Sequence, residues 1–207
     1  DNGNGYNYCH NTIEGFSFNH MSGIGWYGDL GNLQIMPVIG ETSLRSGSNE
    51  EIPFVKGGEG WKSAFSHEKE TAKVGYYSVE LLKYNILAEA TATLRTGLLR
   101  FTYPAAKDAG LIFNFSRRIG GHADFQHIDI IDDTHMEGYI RCTPAGGGFG
   151  RGRGGIGYTF YFTLELSKAL KDKRFFCNEE FEAEGLTSFE GEDVGLFARF
   201  EAEEGEQ

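Results

Sequence analysis

The feature that most constrains the fold is an alternation of side chains over residues 156–166. Every second residue there is apolar, and most of the residues between them are polar. A period of two is typical of a β-strand with one buried face. The other face is therefore predicted to be half exposed or to contact a partner. The apolar set is Ile156, Tyr158, Phe160, Phe162, Leu164 and Leu166, and the other set includes Thr159, Tyr161, Thr163 and Glu165.

Shorter alternating runs recur along the chain and favour an antiparallel β architecture. They lie at residues 88–94, 111–115, 128–130 and 196–200, and Gly, Asn or Asp residues flank them. Helical spacing is scarce. Because a strand with one apolar face needs an opposing sheet to cover it, we expect an all-β fold, an antiparallel two-sheet β-sandwich.

Composition and charge narrow the class of partner. The 207 residues include 30 glycines and 14% aromatic residues, as expected for a turn-rich β protein. The net charge of −11 argues against duplex nucleic acid and anionic membranes, which both need clustered positive charge. We therefore expect neither as a partner, whereas a neutral or cationic ligand fits. Three widely spaced cysteines, Cys9, Cys142 and Cys177, indicate neither a disulfide framework nor a zinc site.

One low-complexity stretch, residues 146–155, combines glycine with arginine and phenylalanine. Taken alone, it resembles the arginine-glycine segments that bind RNA. It occurs once, in an acidic chain, and runs directly into the strongest predicted strand. We interpret it as a flexible hairpin loop.

A glycine-rich segment over residues 15–32 is the first candidate binding site. It places His20, Trp26 and Asp29 among several glycines, which allow close backbone approach. An indole that stacks on the C–H face of a sugar, beside groups that bond its hydroxyls, is the usual chemistry of carbohydrate recognition. The alternative is a glycine-rich turn whose tryptophan fills the core, and spacing alone leaves both open.

A second cluster of polar residues lies within residues 65–79, just before the start of a predicted strand. This position places the cluster at a sheet edge or mouth. His67 with Glu68 or Glu70 could form an oriented base or bind a hydroxyl, although a solvated turn also explains the composition. A Glu-x-Glu pair without further ligands is weak evidence for a metal. No self-contained catalytic motif is present, so we predict neither a catalytic residue nor a metal ligand in this chain.

Five ordered motifs over roughly residues 3–115 resemble those of glycoside hydrolase family 92, the exo-acting α-mannosidases. The likeness is looser after that point. The motifs are GFSxxHMSGxG at 15–25, DLGNLQIMP at 29–37, FSHExETAxxGYYxV at 65–79, AEATATxRxG at 88–97 and RFTYP at 100–104.

The resemblance implies a two-domain plan, in which an N-terminal β-sandwich packs on an (α/α)6 barrel with the sugar site at their junction. It also implies calcium dependence and inversion, which requires two carboxyl groups roughly 6.5 to 9.5 Å apart. The acid, the base and most calcium ligands are expected in the barrel. Residues 1–207 would then form a single β-sandwich domain of the large super-sandwich type, the non-barrel part of the enzyme, with its first strand or strands missing.

The same resemblance assigns roles to individual residues. Trp26 would pack against the terminal mannose or the sugar that it leaves behind. The pocket would be shaped or hydrogen-bonded by His20, Ser22 and Asp29, with Gly23 and Gly25 permitting close backbone approach. A cluster of His67, Glu68 and Glu70 would brace the cleft or bridge to the barrel, without a direct part in the chemistry.

Two positions depart from the family pattern. Asn19 and Leu99 each occupy a position at which many family members carry a histidine. The polar contacts that those histidines would make are therefore in question for this chain. We therefore interpret the chain as the N-terminal domain of a secreted or periplasmic, calcium-dependent, inverting exo-α-mannosidase that trims mannose from glycans. We expect this domain to be inactive by itself. The alternatives are a freestanding carbohydrate-binding module and a structural or interaction β-sandwich.

Overall fold

A computed structural model of the chain describes residues 6, 8–20, 30–46, 60–118, 123–143 and 157–207. Within these ranges the chain forms β-strands and one 3-10 turn, His67–Lys69, and no described helix is long and apolar enough to span a bilayer. The strands are β1 (Thr12–Ile13), β2 (Phe16–Phe18), β3 (Asn32–Ile39), β4 (Ser63–Ala64), β5 (Glu70–Lys73), β6 (Tyr76–Leu81), β7 (Ile86–Ala92), β8 (Gly97–Thr102), β9 (Ala106–Asn114), β10 (Ala123–Ile130), β11 (His135–Cys142), β12 (Tyr158–Glu165), β13 (Lys171–Cys177), β14 (Glu180–Phe181), β15 (Ser188–Gly191) and β16 (Val194–Ala202).

The strands form antiparallel sheets, which confirms the prediction of an all-β, antiparallel sandwich. The largest sheet has six strands in the order β14-β13-β16-β9-β3-β2. Two four-stranded sheets have the orders β12-β11-β10-β15 and β5-β6-β7-β8, and β1 pairs with β4. The short runs of alternation showed where strands lie, but not how the strands are distributed among these hydrogen-bonded sheets.

The chain folds into two compact units. The first comprises Asp1–Tyr8, Phe16–Ile35 and Ile112–Ala198, and the second comprises Cys9–Gly15, Met36–Leu111 and Arg199–Gln207.

Ring stacking between two sheets builds the core of the first unit. Phe175 on β13 stacks on Phe189 of β15 with ring centroids 5.6 Å apart, and Phe115, just after β9, stacks on Phe162 of β12 at the same distance. The fully buried Gln126 adds a polar bridge, because its Oε1 accepts a 3.0 Å hydrogen bond from the Val194 backbone N–H. The two layers are thus fixed by aromatic packing and one buried amide.

The predicted alternation of β12 is present in the structure. Its residues alternate between half-buried and exposed along Tyr158–Glu165. Strand β10 follows the same rule, with Ile128 and Ile130 buried and His127 and Asp129 on the other face. The arginine-glycine stretch lies outside the described residues.

Three strands of the six-stranded sheet are buried on both faces, which the alternating patterns did not reveal. Strand β3 is buried over seven consecutive residues, Asn32–Val38. Consecutive burial also occurs over 109–113 of β9 and 194–198 of β16. Where both faces of a strand are covered, apolar residues of both parities are required and the period of two weakens.

The second unit has its own core, centred on Trp61 and the inner face of β6 and β7. Trp61 is buried, its Nε1 donates a 2.8 Å hydrogen bond to the Glu14 carbonyl, and its own carbonyl accepts one from the Tyr84 hydroxyl. Burial raises the pKa of Tyr84 to about 12, so this phenol remains a donor. Val79 on β6 and Ile86 on β7 are completely buried. One of the two tryptophans is therefore a core residue.

Candidate functional site

Most of the predicted sugar-contacting residues lie outside the described part of the chain, but the described structure includes both ends of their segment. The residues outside it are Ser22, Gly23, Gly25, Trp26 and Asp29. On either side, the Gly31 backbone N–H donates a 3.3 Å hydrogen bond to the Asn19 carbonyl. Asn19 and Gly31 both have positive φ, 58° and 57°, which glycine and asparagine adopt at low steric cost. Asn19 and Gly31, on either side of the segment, thus form a closed base.

Asn32 anchors this base from inside the protein. Its side chain is completely buried, and its Oδ1 accepts hydrogen bonds from the Tyr158 hydroxyl at 2.8 Å and from Asn19 Nδ2 at 3.4 Å. Its Nδ2 donates to the Arg117 carbonyl at 3.3 Å and lies 3.4 Å from Cys142 Sγ. One asparagine therefore joins the base of the segment to three other parts of the first unit.

Tyr158 is the strongest partner of that anchor. Burial raises the pKa of its phenol well above the usual value, and the Arg118 guanidinium lies over its ring at 5.1 Å. The hydroxyl therefore stays protonated and keeps donating to Asn32. Sequence reasoning missed this pair. The only signals were a polar residue at the start of an apolar run and a tyrosine on the apolar face of β12.

Asn19, which replaces the histidine of the family pattern, makes a polar contact of its own. Its side-chain amide donates to Asn32, so the residue at this position has a structural contact in this chain. His20 follows it and is exposed, with Nε2 2.9 Å from Ser17 Oγ and 3.1 Å from the Ser17 carbonyl oxygen. The predicted ligand His20 is therefore oriented by Ser17 at the solvent-facing side of the base.

The second predicted cluster forms a hydrogen-bonded network at a sheet edge. His67 Nδ1 lies 2.5 Å from Glu70 Oε2, and the Tyr77 hydroxyl donates a 2.7 Å hydrogen bond to Glu70 Oε1. Only 8% of the Glu70 side chain is exposed, against 30% for His67. Phe65 packs its ring against the His67 imidazole at 5.1 Å, in a T-shaped arrangement. The carboxylate thus fixes the orientation of the histidine ring.

Glu68, the third member of the predicted cluster, is exposed. Its backbone N–H donates to Ser66 Oγ, which caps the 3-10 turn. Strand β5, which begins at Glu70, lies at one end of its sheet, as the sequence predicted for this cluster. His20 belongs to the first compact unit, and the network of His67 and Glu70 belongs to the second.

Both groups carry side chains that can hydrogen-bond to hydroxyls. An inverting glycosidase needs a carboxylic acid with a raised pKa. Among the described carboxyl groups, the pKa values of Glu89, Asp129 and Asp132 are lowered. Hydrogen bonds from Arg100 and Tyr76 lower the pKa of Glu89 to about 2, and hydrogen bonds from Thr134 and His135 lower that of Asp132.

A protein-family model matches the whole chain. The family model for the glycosyl hydrolase family 92 N-terminal domain matches residues 1–207, so the chain belongs to this family. A search of the curated proteins found no match.

Solved structures of GH92 enzymes are also similar to this chain. The structure is similar to the family GH92 α-mannosidase BT3965 from Bacteroides thetaiotaomicron, solved alone and in complex with mannoimidazole, with a TM-score of 0.83 and 30% identity in each case. It also shares its fold with the GH92 family glycosyl hydrolase ccman5, with a TM-score of 0.73 and 23% identity. The chain spans 26% of the length of BT3965, which covers 99% of this chain, and 25% of ccman5, which covers 97%.

Proposed function

We propose that this chain is the N-terminal domain of a calcium-dependent, inverting exo-α-mannosidase that trims mannose from glycans outside the cytoplasm. In this proposal the chain provides one wall of the sugar-binding cleft. A C-terminal (α/α)6 barrel of the same polypeptide provides the acid and the base. Trp26, His20, Ser22 and Asp29 would contact the sugar, with Gly23 and Gly25 allowing close approach.

The observation that carries the proposal is the extent of the match. The whole chain corresponds to an N-terminal domain, and it spans 26% of a mannosidase that binds mannoimidazole. A freestanding carbohydrate-binding module would not be expected to match the N-terminal part of a longer enzyme from end to end. The shared fold supports the proposal that the catalytic acid and base belong to another part of the enzyme.

The described residues do not fit a calcium site by themselves. Calcium takes six to eight oxygen ligands, with carboxylates prominent among them. Within the described ranges, no group of three or more His, Cys, Asp or Glu side chains is placed to hold a metal ion. His127 is hydrogen-bonded to Asp129 and Glu190, each at 3.0 Å. We therefore propose that the calcium ligands lie mostly outside this chain.

The contribution of the chain is to present and orient groups. The closed base at Asn19 and Gly31 fixes where the segment that carries Trp26 leaves the sandwich. Buried anchoring by Asn32 reduces the conformational entropy that binding would otherwise cost. In the second unit, the network of Glu70 and His67 is proposed to brace the cleft or its junction with the barrel.

Replacing Trp26 with alanine in the full-length enzyme should lower kcat/KM for mannosides about tenfold, because the indole is proposed to pack on the sugar. The thermal midpoint should stay unchanged. Trp61→Phe is the matched control, since it alters a buried tryptophan and should lower the midpoint without changing kcat/KM of the folded enzyme. A Trp26→Ala enzyme that is less stable but fully active would support a structural role and contradict the proposal.

A further inference from the structure

We propose a second glycan-binding surface on the outer face of the sheet β12-β11-β10-β15, made by a row of four side chains. The row runs across the strands as Tyr161, Tyr139, His127 and Glu190, and we call it the cross-strand row. Its ligand class is a neutral oligosaccharide, and the choice of mannose rests on the proposed function.

Strand register places the row directly across the sheet. Tyr161 pairs with Tyr139, Tyr139 with His127, and His127 with Glu190. The ring centroids of Tyr139 and Tyr161 are 5.8 Å apart, and those of His127 and Tyr139 are 5.3 Å apart. The row spans three interstrand spacings, about 14 Å, which is longer than a single sugar ring.

Tyr161 is the exposed end of the row. The residue is 74% exposed, and β12 ends the order of its sheet within the described chain. Tyr139 packs against one side of the tyrosine ring at an angle of 43°. An exposed ring that is supported from one side is suited to stack on the C–H face of a sugar, because little side-chain entropy remains to be lost.

The other end of the row is fixed by hydrogen bonds. His127 Nδ1 lies 3.0 Å from Glu190 Oε2, and Nε2 lies 3.0 Å from Asp129 Oδ2. Burial opposes the charged imidazolium, but these hydrogen bonds outweigh it and raise the pKa of His127. Asp129 also accepts a hydrogen bond from the Ser188 side chain. An ionised carboxylate has about four lone-pair positions, so each of the two carboxylates can still accept a hydrogen bond from a hydroxyl.

The flanking residues favour a sugar over a protein partner. Residues that β10, β11 and β15 place on this face include the carboxylates Asp129, Glu137 and Glu190, whereas the centre of a protein interface is depleted of such charges. Carboxylates predominate over basic groups, which disfavours anionic ligands and suits a neutral donor of hydroxyl hydrogen bonds. The flanking side chains are Phe125, Asp129, Glu137, Arg141, Thr159 and Thr163.

The test uses the full-length enzyme with its active site saturated by mannoimidazole, and measures its retention by immobilised α-mannan. We expect retention to persist under saturation and the apparent Kd to rise about tenfold on Tyr161→Ala, the scale of one lost ring contact. Tyr161→Phe should keep most of the retention, because the ring remains. Tyr76→Ala is the matched control, an exposed tyrosine on a different sheet, and should bind as the unchanged enzyme does.

Hydrolysis of a small mannoside by the same enzymes separates the two proposals. Hydrolysis without retention under saturation would overturn the second surface and leave the proposed function intact. Retention without hydrolysis would support the second surface and overturn the proposed function. Unchanged retention of Tyr161→Ala would also overturn the second surface.

Discussion

Asn32→Ala should lower the free energy of unfolding by about 2 to 4 kcal/mol, because it removes a buried amide that hydrogen-bonds the half-buried Tyr158 hydroxyl and the Arg117 carbonyl. It should also release the base of the segment that carries Trp26. We therefore expect a fall in kcat/KM of the full-length enzyme beyond what the loss of folded protein explains. Urea unfolding followed by tryptophan fluorescence measures the first effect, and steady-state kinetics measure the second.

Gln34→Leu is the matched control for that substitution. Gln34 is a buried amide two residues further along β3, and its Oε1 has no hydrogen-bond partner within the described structure. Replacing an unsatisfied acceptor with an apolar side chain of similar size should change the free energy of unfolding by less than about 1 kcal/mol. If Asn32→Ala were as mild as Gln34→Leu, the hydrogen bonds of Asn32 would contribute little and Asn32 would not be an anchor.

Gly195→Ala should cost about 3 kcal/mol, at the upper end of the range for overpacking a core. A Cβ at Gly195 would lie 2.0 Å from Phe176 Cζ and within 2.5 Å of two further ring atoms. Phe176 is buried on the neighbouring strand β13, so its ring lies over the glycine and has little room to move. The measurement is the free energy of unfolding in urea.

Gly191→Ala serves as the control for the glycine substitution. A Cβ there would meet Val194 Cγ2 at 3.7 Å, an ordinary contact, so the free energy of unfolding should change by less than about 1 kcal/mol. Replacing Phe176 with leucine in the Gly195→Ala background should restore part of the loss, since it removes the ring atoms that clash. If Gly195→Ala were as mild as Gly191→Ala, the proposed packing of Phe176 would be wrong.

The sequence predicted the fold class well where one face of a strand is exposed. The alternation over Tyr158–Glu165 and the separation of Ile128 from His127 are both present in the structure. Strand β3 carried a weaker signal, because seven consecutive residues are buried and burial on both faces removes the alternation. The grouping of strands into sheets also escaped prediction, since it depends on pairing between segments far apart in sequence.

The candidate site was predicted in part. The cluster at His67 and Glu70 proved to be a hydrogen-bonded pair, which their spacing across a 3-10 turn permits. The anchor between Asn32 and Tyr158 was missed, because these residues are 126 positions apart and only the tertiary structure brings them together. The roles of Trp26 and its neighbours stay predictions.

Hydrolysis of an aryl α-mannoside by purified chain 1–207, with calcium present and folding verified by circular dichroism, tests the central claim most directly. We predict no turnover above the buffer rate, while the full-length enzyme turns the substrate over under the same conditions. Turnover by the chain alone would mean that these strands contain both the acid and the base, and the division of roles proposed above would be wrong.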